Sequence, residues 1–377
     1  MMTRREFMAR SAGVGAAASI AAAKAPEVRR LKYLGWQVGV TYQTSEPGGL
    51  DRDHFMRLLD EMAQNRMNLL SLMMQSYGYF DPNHDGYAWP VRKDSLQAYR
   101  DEGAINARPD TEFIQAVIAA AADRAIEVQL FLNWGIWNPE RIRAAYPSAT
   151  LQIDRDSQPA GWLHCPDAPG AWQLGLDEVS DLLTFYNHPN VTSYAFERVS
   201  YAGTKACFCP HTRERFLEDT GTPLDKAAPS RINAWKTDRI SARIEAYVAH
   251  VRRLRPGIAV GLHTQCARGW GHDPARLKTC GIDYVLPHTI QFPQTRDEVH
   301  AMIARLAPNP CVLHFCTRDI RPANYNLWIK TPAIIADALK WIFEYPGDNL
   351  AGLLFFNEPA TSPTNKQAVY DGVKAFV

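Results

Sequence analysis

Eight short apolar runs, spread evenly along 377 residues and each ending in polar residues, limit what this chain can fold into. They are LKYLGWQVGVTYQ (31–43), MNLLSLMMQSY (67–77), IEVQLFLNW (126–134), VTSYAFER (191–198), IAVGLHTQ (258–265), IDYVLPHT (282–289), CVLHFCTRD (311–319) and LAGLLFFNE (350–358). Such runs predict strands buried on both faces. Stretches of helical period separate them, and strands alternating with helices build a parallel sheet. Eight such units predict a (β/α)8 TIM barrel, which carries its site at the C-terminal ends of its strands. Asn, Glu, His, Arg and Asp stand at those ends.

Helices are predicted over 51–66, 110–125, 171–186, 211–219, 230–254, 274–279, 296–306, 332–343 and 365–376. In the first, Phe55, Leu58, Leu59 and Met62 form an apolar stripe at helical spacing. In the third, Leu174, Val179, Leu182 and Leu183 do the same, and His188-Pro189-Asn190 stops it before the fourth strand. Joins from helix to strand are short and joins from strand to helix are long, which gathers the variable loops at the catalytic end. No repeat or linker divides the chain, so residues 31–377 read as one barrel domain with long βα loops. An open doubly wound sheet is the other topology. No glycine-rich phosphate loop follows the first strand, which disfavours a nucleotide-binding version of it.

Residues 1–23 read as a leader. Thr3-Arg4-Arg5-Glu6-Phe7-Met8 has the twin-arginine export pattern, an Ala- and Gly-rich segment follows, and Ala21-Ala22-Ala23 offers a small-residue cleavage site. The segment is too short and too weakly apolar for a stable membrane span. A periplasmic or secreted protein is expected, with no span after leader removal. Net charge is +1 and no Lys/Arg block follows the leader, which argues against a nucleic-acid partner. The seven Cys are an odd number, several within predicted strands or helices, where thiols act as small buried hydrophobes. Ten Trp and fifteen Tyr supply core, and also flat faces suited to the C–H face of a pyranose.

Chemistry is sought at the strand ends. Glu197 ends the fourth strand and Glu358 the eighth; Asp319, after the seventh, is a third candidate. A carboxylate after an apolar run is costly unless it is paired, protonated or used. Two carboxylates facing one cleft suit acid/base or nucleophilic work on a glycosidic bond, and Glu197 and Glu358 are expected to do so. Tyr42, Gln43, Asn133, Trp134, Arg198, His263, His288, Arg318 and Asn357 stand at strand ends as candidates for binding sugar hydroxyls or stacking on a ring. Arg198, Arg268 and Arg318 leave room for an acidic sugar. His314 lies mid-strand and reads as a core or rim histidine.

The stretch Val191 to Gly221, VTSYAFERVSYAGTKACFCPHTRERFLEDTG, resembles the strand-four region of hypothetical glycosyl hydrolases and of barrels related to the family 42 β-galactosidases. Those proteins have an apolar strand ending in a carboxylate, a Cys-x-Cys-Pro-x-Cys loop, and a helix like this one; Leu163-His164-Cys165-Pro166 is similar to an upstream segment there. The resemblance implies that Glu197 takes the strand-four acid position. Thr212 stands where a third Cys of the loop would be, so no metal is expected. The seventh strand ends in Arg318-Asp319 without a Glu, so the usual strand-seven nucleophile does not carry over, and the second carboxylate is Asp319 or Glu358. The expected function is an exported glycoside hydrolase acting on a carbohydrate without a cofactor. Two alternatives stand beside it, a carbohydrate-binding barrel without catalysis and a metal-dependent sugar isomerase or epimerase.

Overall fold

The computed structural model describes residues 31–40, 51–76, 86–97, 113–134, 143–197, 199–264, 270–287, 295–319 and 330–375. Eight parallel strands close into a barrel in sequence order: β1 (Tyr33–Gly39), β2 (Leu69–Met73), β3 (Glu127–Asn133), β4 (Val191–Glu197), β5 (Ala259–Thr264), β6 (Tyr284–Pro287), β7 (Cys311–Cys316) and β8 (Leu350–Phe356), with β8 pairing back to β1. The predicted (β/α)8 barrel is the fold observed. Helices α1 (Arg52–Gln64), α2 (Phe113–Ala122), α3 (Pro169–Phe185), α4 (Pro210–Thr220), α5 (Pro229–Leu254), α6 (Arg296–Arg305), α7 (Pro332–Phe343) and α8 (Pro363–Lys374) flank it, and a short turn at Pro274–Leu277 follows β5.

Residue chemistry explains where the helices begin. Asp51, Thr295, Thr331 and Ser362 each accept a backbone N–H of the first turn, satisfying a donor the helix cannot pair itself. At Thr295 the Glu298 carboxylate reaches back to complete a capping box. Pro opens α3, α4, α5, α7 and α8, where its missing N–H costs nothing.

Alternation along the strands divides the core in two. Tyr33, Leu69, Met73, Phe131, Ala195, Tyr284, Leu286, Val312 and Leu354 pack together as one cluster inside the barrel. The intervening residues, among them Trp36, Leu70, Leu130, Phe196, Leu262 and Phe355, face the helices and join a second, larger cluster. Gly261 makes room inside: a Cβ there would stand 2.4 Å from the Tyr284 ring. The interior also holds a polar row. Gln37, Ser71 and Gln129 are register partners on β1, β2 and β3, and all three are buried.

Two small antiparallel pairs decorate the upper rim. Gln75–Ser76 pairs with Gly86–Tyr87 after β2, and Leu151–Ile153 with Pro159–His164 after β3. They fall in the long βα loops that the sequence pattern leaves without regular structure.

Candidate active site

Asn133 and Glu197 end β3 and β4, His263 is the last residue but one of β5, and each is in register with the next. All three share the parity of the interior cluster, so three polar side chains stand side by side on the inner wall at the C-terminal mouth. All are buried. Asn133 is fixed through its main chain: its N–H donates to Gln75 Oε1 at 2.7 Å, and Gln75 Nε2 donates to Glu178 Oε1 of α3 at 2.9 Å. Its side chain is not. Neither Oδ1 nor Nδ2 meets a hydrogen-bond partner among the described residues. An unmet buried polar group costs about 1–3 kcal/mol, and a donor and acceptor left open beside a carboxylate suit a ligand hydroxyl.

The His263 ring lies against Phe131 (centroids 4.7 Å apart) and edge-on to His314 (4.8 Å). His314 reaches in from β7, touches the Phe356 ring at 4.8 Å, and places Nε2 2.7 Å from Gln37 Oε1. Beyond it the row continues. Gln37 Nε2 donates to Ser71 Oγ at 3.2 Å, Ser71 Oγ to Gln129 Oε1 at 2.6 Å, and Gln129 Nε2 to the Tyr284 hydroxyl at 2.5 Å. His314 stands on the inner wall of the barrel as a hydrogen-bonded histidine, in keeping with its mid-strand position. Gln37 and Gln75 were missed. Their one sequence signal is an amide on the inward parity of an otherwise apolar strand or its end.

The other two carboxylates lie elsewhere. β8 stops at Phe356, and Glu358–Ala360 winds a tight turn with Pro359 inside it. That turn swings Glu358 toward the helix layer, where its carboxylate meets His54 Nε2 of α1 at 2.8 Å and Lys366 Nζ of α8. Glu358 is wholly buried. Burial alone would raise its pKa, but the His54 hydrogen bond and the Lys366 charge outweigh it and hold the carboxyl below the usual range. The expectation that Glu197 and Glu358 face one cleft is corrected accordingly. Asp319 accepts the Ser362 backbone N–H at 2.7 Å and also the Ser362 hydroxyl, so it ties the loop after β7 to the cap of α8.

Trp134 follows Asn133 and so points the opposite way. Its ring packs 6.3 Å from that of Trp172 and over Gly175 of α3, where a Cβ would stand 2.0 Å from the indole nitrogen. It fills the space between β3 and α3, not the barrel mouth. Asn357 is buried and its Oδ1 accepts the Gly39 N–H at 3.4 Å, joining the ends of β8 and β1. Arg318 is buried just past β7, and its carbonyl accepts the Lys330 N–H at 2.9 Å. Tyr42, Gln43, Arg198, Arg268 and His288 lie outside the described residues.

A second cluster sits in the outer core. The Sγ atoms of Cys165, Cys207 and Cys209 lie within 4.8 Å of one another. A tetrahedral ion with metal–sulfur bonds of about 2.3 Å sets thiolates about 3.8 Å apart by geometry, so the trio fits three corners. Thr212 Oγ1 stands 3.1 Å from Cys165 Sγ and donates to Asp167 Oδ2 at 2.9 Å. The fourth corner is therefore a neutral hydroxyl already committed to a carboxylate. Hydrogen bonds from Cys165 and Cys207 pull the Cys209 thiol below its ordinary range, while burial drives the Cys165 thiol up.

No protein-family model and no curated protein matches the sequence. Solved structures do. The glycoside hydrolase domain of PgaB (BpsB) from Bordetella bronchiseptica is similar with a TM-score of 0.65 at 13% identity, over 91% of this chain and 99% of that one. The β-galactosidase of Rahnella sp. R3 gives 0.61 at 13% identity, over 92% of this chain and 56% of its own. The GH20 exo-β-N-acetylglucosaminidase of Vibrio harveyi gives 0.53 at 12% identity, over 92% and 54%. The chain spans little more than half of the last two. At such identities the likeness establishes the fold, a barrel of the kind these glycoside hydrolases use.

Proposed function

We propose that this protein is a glycoside hydrolase with Glu197 as its general acid. One observation carries the reading: the inward row Asn133–Glu197–His263 at the C-terminal ends of three adjacent strands. Glu197 protonates the leaving oxygen of the scissile bond, and the Asn133 amide holds a neighbouring sugar hydroxyl. The similar solved structures are supporting context, since their descriptions name glycoside hydrolases. Export to the periplasm or beyond, on the twin-arginine pattern of residues 3–8, belongs to the same proposal.

Glu197→Gln tests it. General acid catalysis contributes about 10²- to 10⁴-fold, so this variant should lose activity on that order against glycosides with poor leaving groups. Activated aryl glycosides, which need little protonation, should lose far less. Equal turnover of both classes by parent and variant would make Glu197 a rim residue.

A second reading, a carbohydrate-binding barrel without turnover, is favoured by one feature. Glu358 and Asp319 are both occupied outside the mouth, so Glu197 is the only inward-facing carboxylate among the described strand ends. Binding of oligosaccharides without turnover of any would select it.

A further inference from the structure

We propose that His314 is the base that works opposite Glu197, and that Gln37 is the positioning residue that sets its tautomer. The inference rests on the hydrolase reading above and supplies the second proton-transfer group that neither Glu358 nor Asp319 offers at the mouth.

The argument follows the sense of the hydrogen bonds. Gln129 Nε2 donates to Tyr284, so Gln129 turns its carbonyl oxygen to Ser71 and takes the hydroxyl proton. Ser71 then accepts from Gln37 Nε2, which leaves Gln37 Oε1 facing His314 Nε2 at 2.7 Å. A carbonyl oxygen only accepts, so Nε2 carries the hydrogen. Nδ1 is then the lone-pair nitrogen of the neutral ring. The row is stiff because Gln37, Ser71, Gln129 and Tyr284 are all buried, and burial drives the Tyr284 hydroxyl far above its ordinary range, so it stays neutral and anchors the row. The opposite sense would need both amides flipped and Tyr284 donating into the row; it would put the hydrogen on Nδ1 and abolish the base.

The surroundings set the ring on the same inner wall as Glu197, one histidine away. His314 is half-buried, whereas His263 beside it is buried. Among the described residues, the groups around it are His263 from β5, with Glu197 of β4 in register beyond; Gln37 from β1; Phe356 from β8; Cys316 on its own strand, with Arg318 just past the strand's end; and Ser71, Gln129 and Tyr284 behind it. In hydrolysis, water adds to the anomeric carbon and gives its proton to His314 Nδ1. The bond to the leaving oxygen breaks, and that oxygen takes the Glu197 proton. The pair ends as imidazolium and carboxylate and is reset by one proton passing from His314 to Glu197 through water.

Two measurements test this. With ¹⁵N-histidine in the full-length protein, His314 should show a protonated Nε2 and an unprotonated Nδ1 when neutral, and Gln37→Leu should give a mixture of tautomers. In turnover, Gln37→Glu sets a carboxylate against the ring and should move the acidic limb of the kcat profile upward by about 1–3 pH units, as for a charge pair at close range. A merely structural Gln37 would lower thermal stability and leave that limb in place. A dominant Nδ1–H tautomer in the parent overturns the proposal with no variant and no substrate required. A limb unmoved in a folded, active Gln37→Glu overturns it while leaving the hydrolase reading intact. The expected tautomer without turnover of any glycoside would defeat the hydrolase reading, and the base with it.

Discussion

At the scale of single residues, Glu197 and Glu358 show how two similar sequence contexts part. Both follow apolar runs and both are buried, yet one stays on the inner wall and the other leaves it. The difference is made by the Glu358–Ala360 turn and its Pro359, which the run of apolar residues conceals. Glu358 gains His54 and Lys366, two groups that lie on separate helices far away in sequence, so no local pattern announces them. Removing one member of a buried pair costs about 3–5 kcal/mol, and the partial exposure of both partners points to the low end of that range for Glu358→Gln. The pH dependence has a definite sign. The Glu358 pKa is lowered on folding, so its contribution is present above the unfolded carboxyl range, near 4.3, and is lost as pH falls through the folded value. Melting curves should therefore show parent and variant well separated at pH 7 and converging under acid. A constant gap from neutral pH to strong acid would refute the ion-pair account.

At the scale of elements, α3 was legible as an apolar stripe and incomplete in that form. Leu174, Val179, Leu182 and Leu183 are buried as the spacing requires, but so are Asp177, Glu178 and Asp181. These acids hold the segment after β2. Asp181 accepts from Trp89 Nε1 at 2.7 Å and from the Lys93 N–H at 2.9 Å. Tyr87 donates to Glu178 at 2.8 Å, and Asp177 takes Lys93 and the Tyr146 hydroxyl. Burial would raise the Asp177 pKa, but hydrogen bonds from Lys93, Tyr146 and Gln173 lower it below its ordinary value. A helical period counts apolar residues, so acids that face inward to meet a loop escape it. Asp181→Ala should cost about 1.5–3 kcal/mol for each hydrogen bond lost to the charged group. Hydrogen exchange should show the Arg92 and Lys93 amides losing protection first. Unchanged exchange there would mean that the segment is held by its apolar contacts, Leu96 and Val91 among them.

At the scale of the whole molecule, the alternation of strands and helices was readable because each strand is a short run rich in apolar residues and the helices between them carry apolar stripes. The closing contact was not, since nothing local in β1 or β8 tells that Tyr33 will pair with Gly352. The polar row inside the barrel escaped for the same reason: Gln37, Ser71 and Gln129 become neighbours only through register. The leader proposed for residues 1–23 belongs to this scale too. Changing Arg4 and Arg5 to Lys should retain the protein inside the cell, with the melting temperature of the mature protein, as judged by fractionation; export at the parental level would remove the twin-arginine assignment. Closure also carries a consequence for timing. β1 has β2 on one side from early in synthesis, but its other neighbour is the last barrel strand to be made. At about 5–20 residues per second, β1 waits on the order of tens of seconds with one edge open to wrong partners. If the proposed export accepts only finished cargo, its clock starts with the emergence of β8, however early the N-terminus is made.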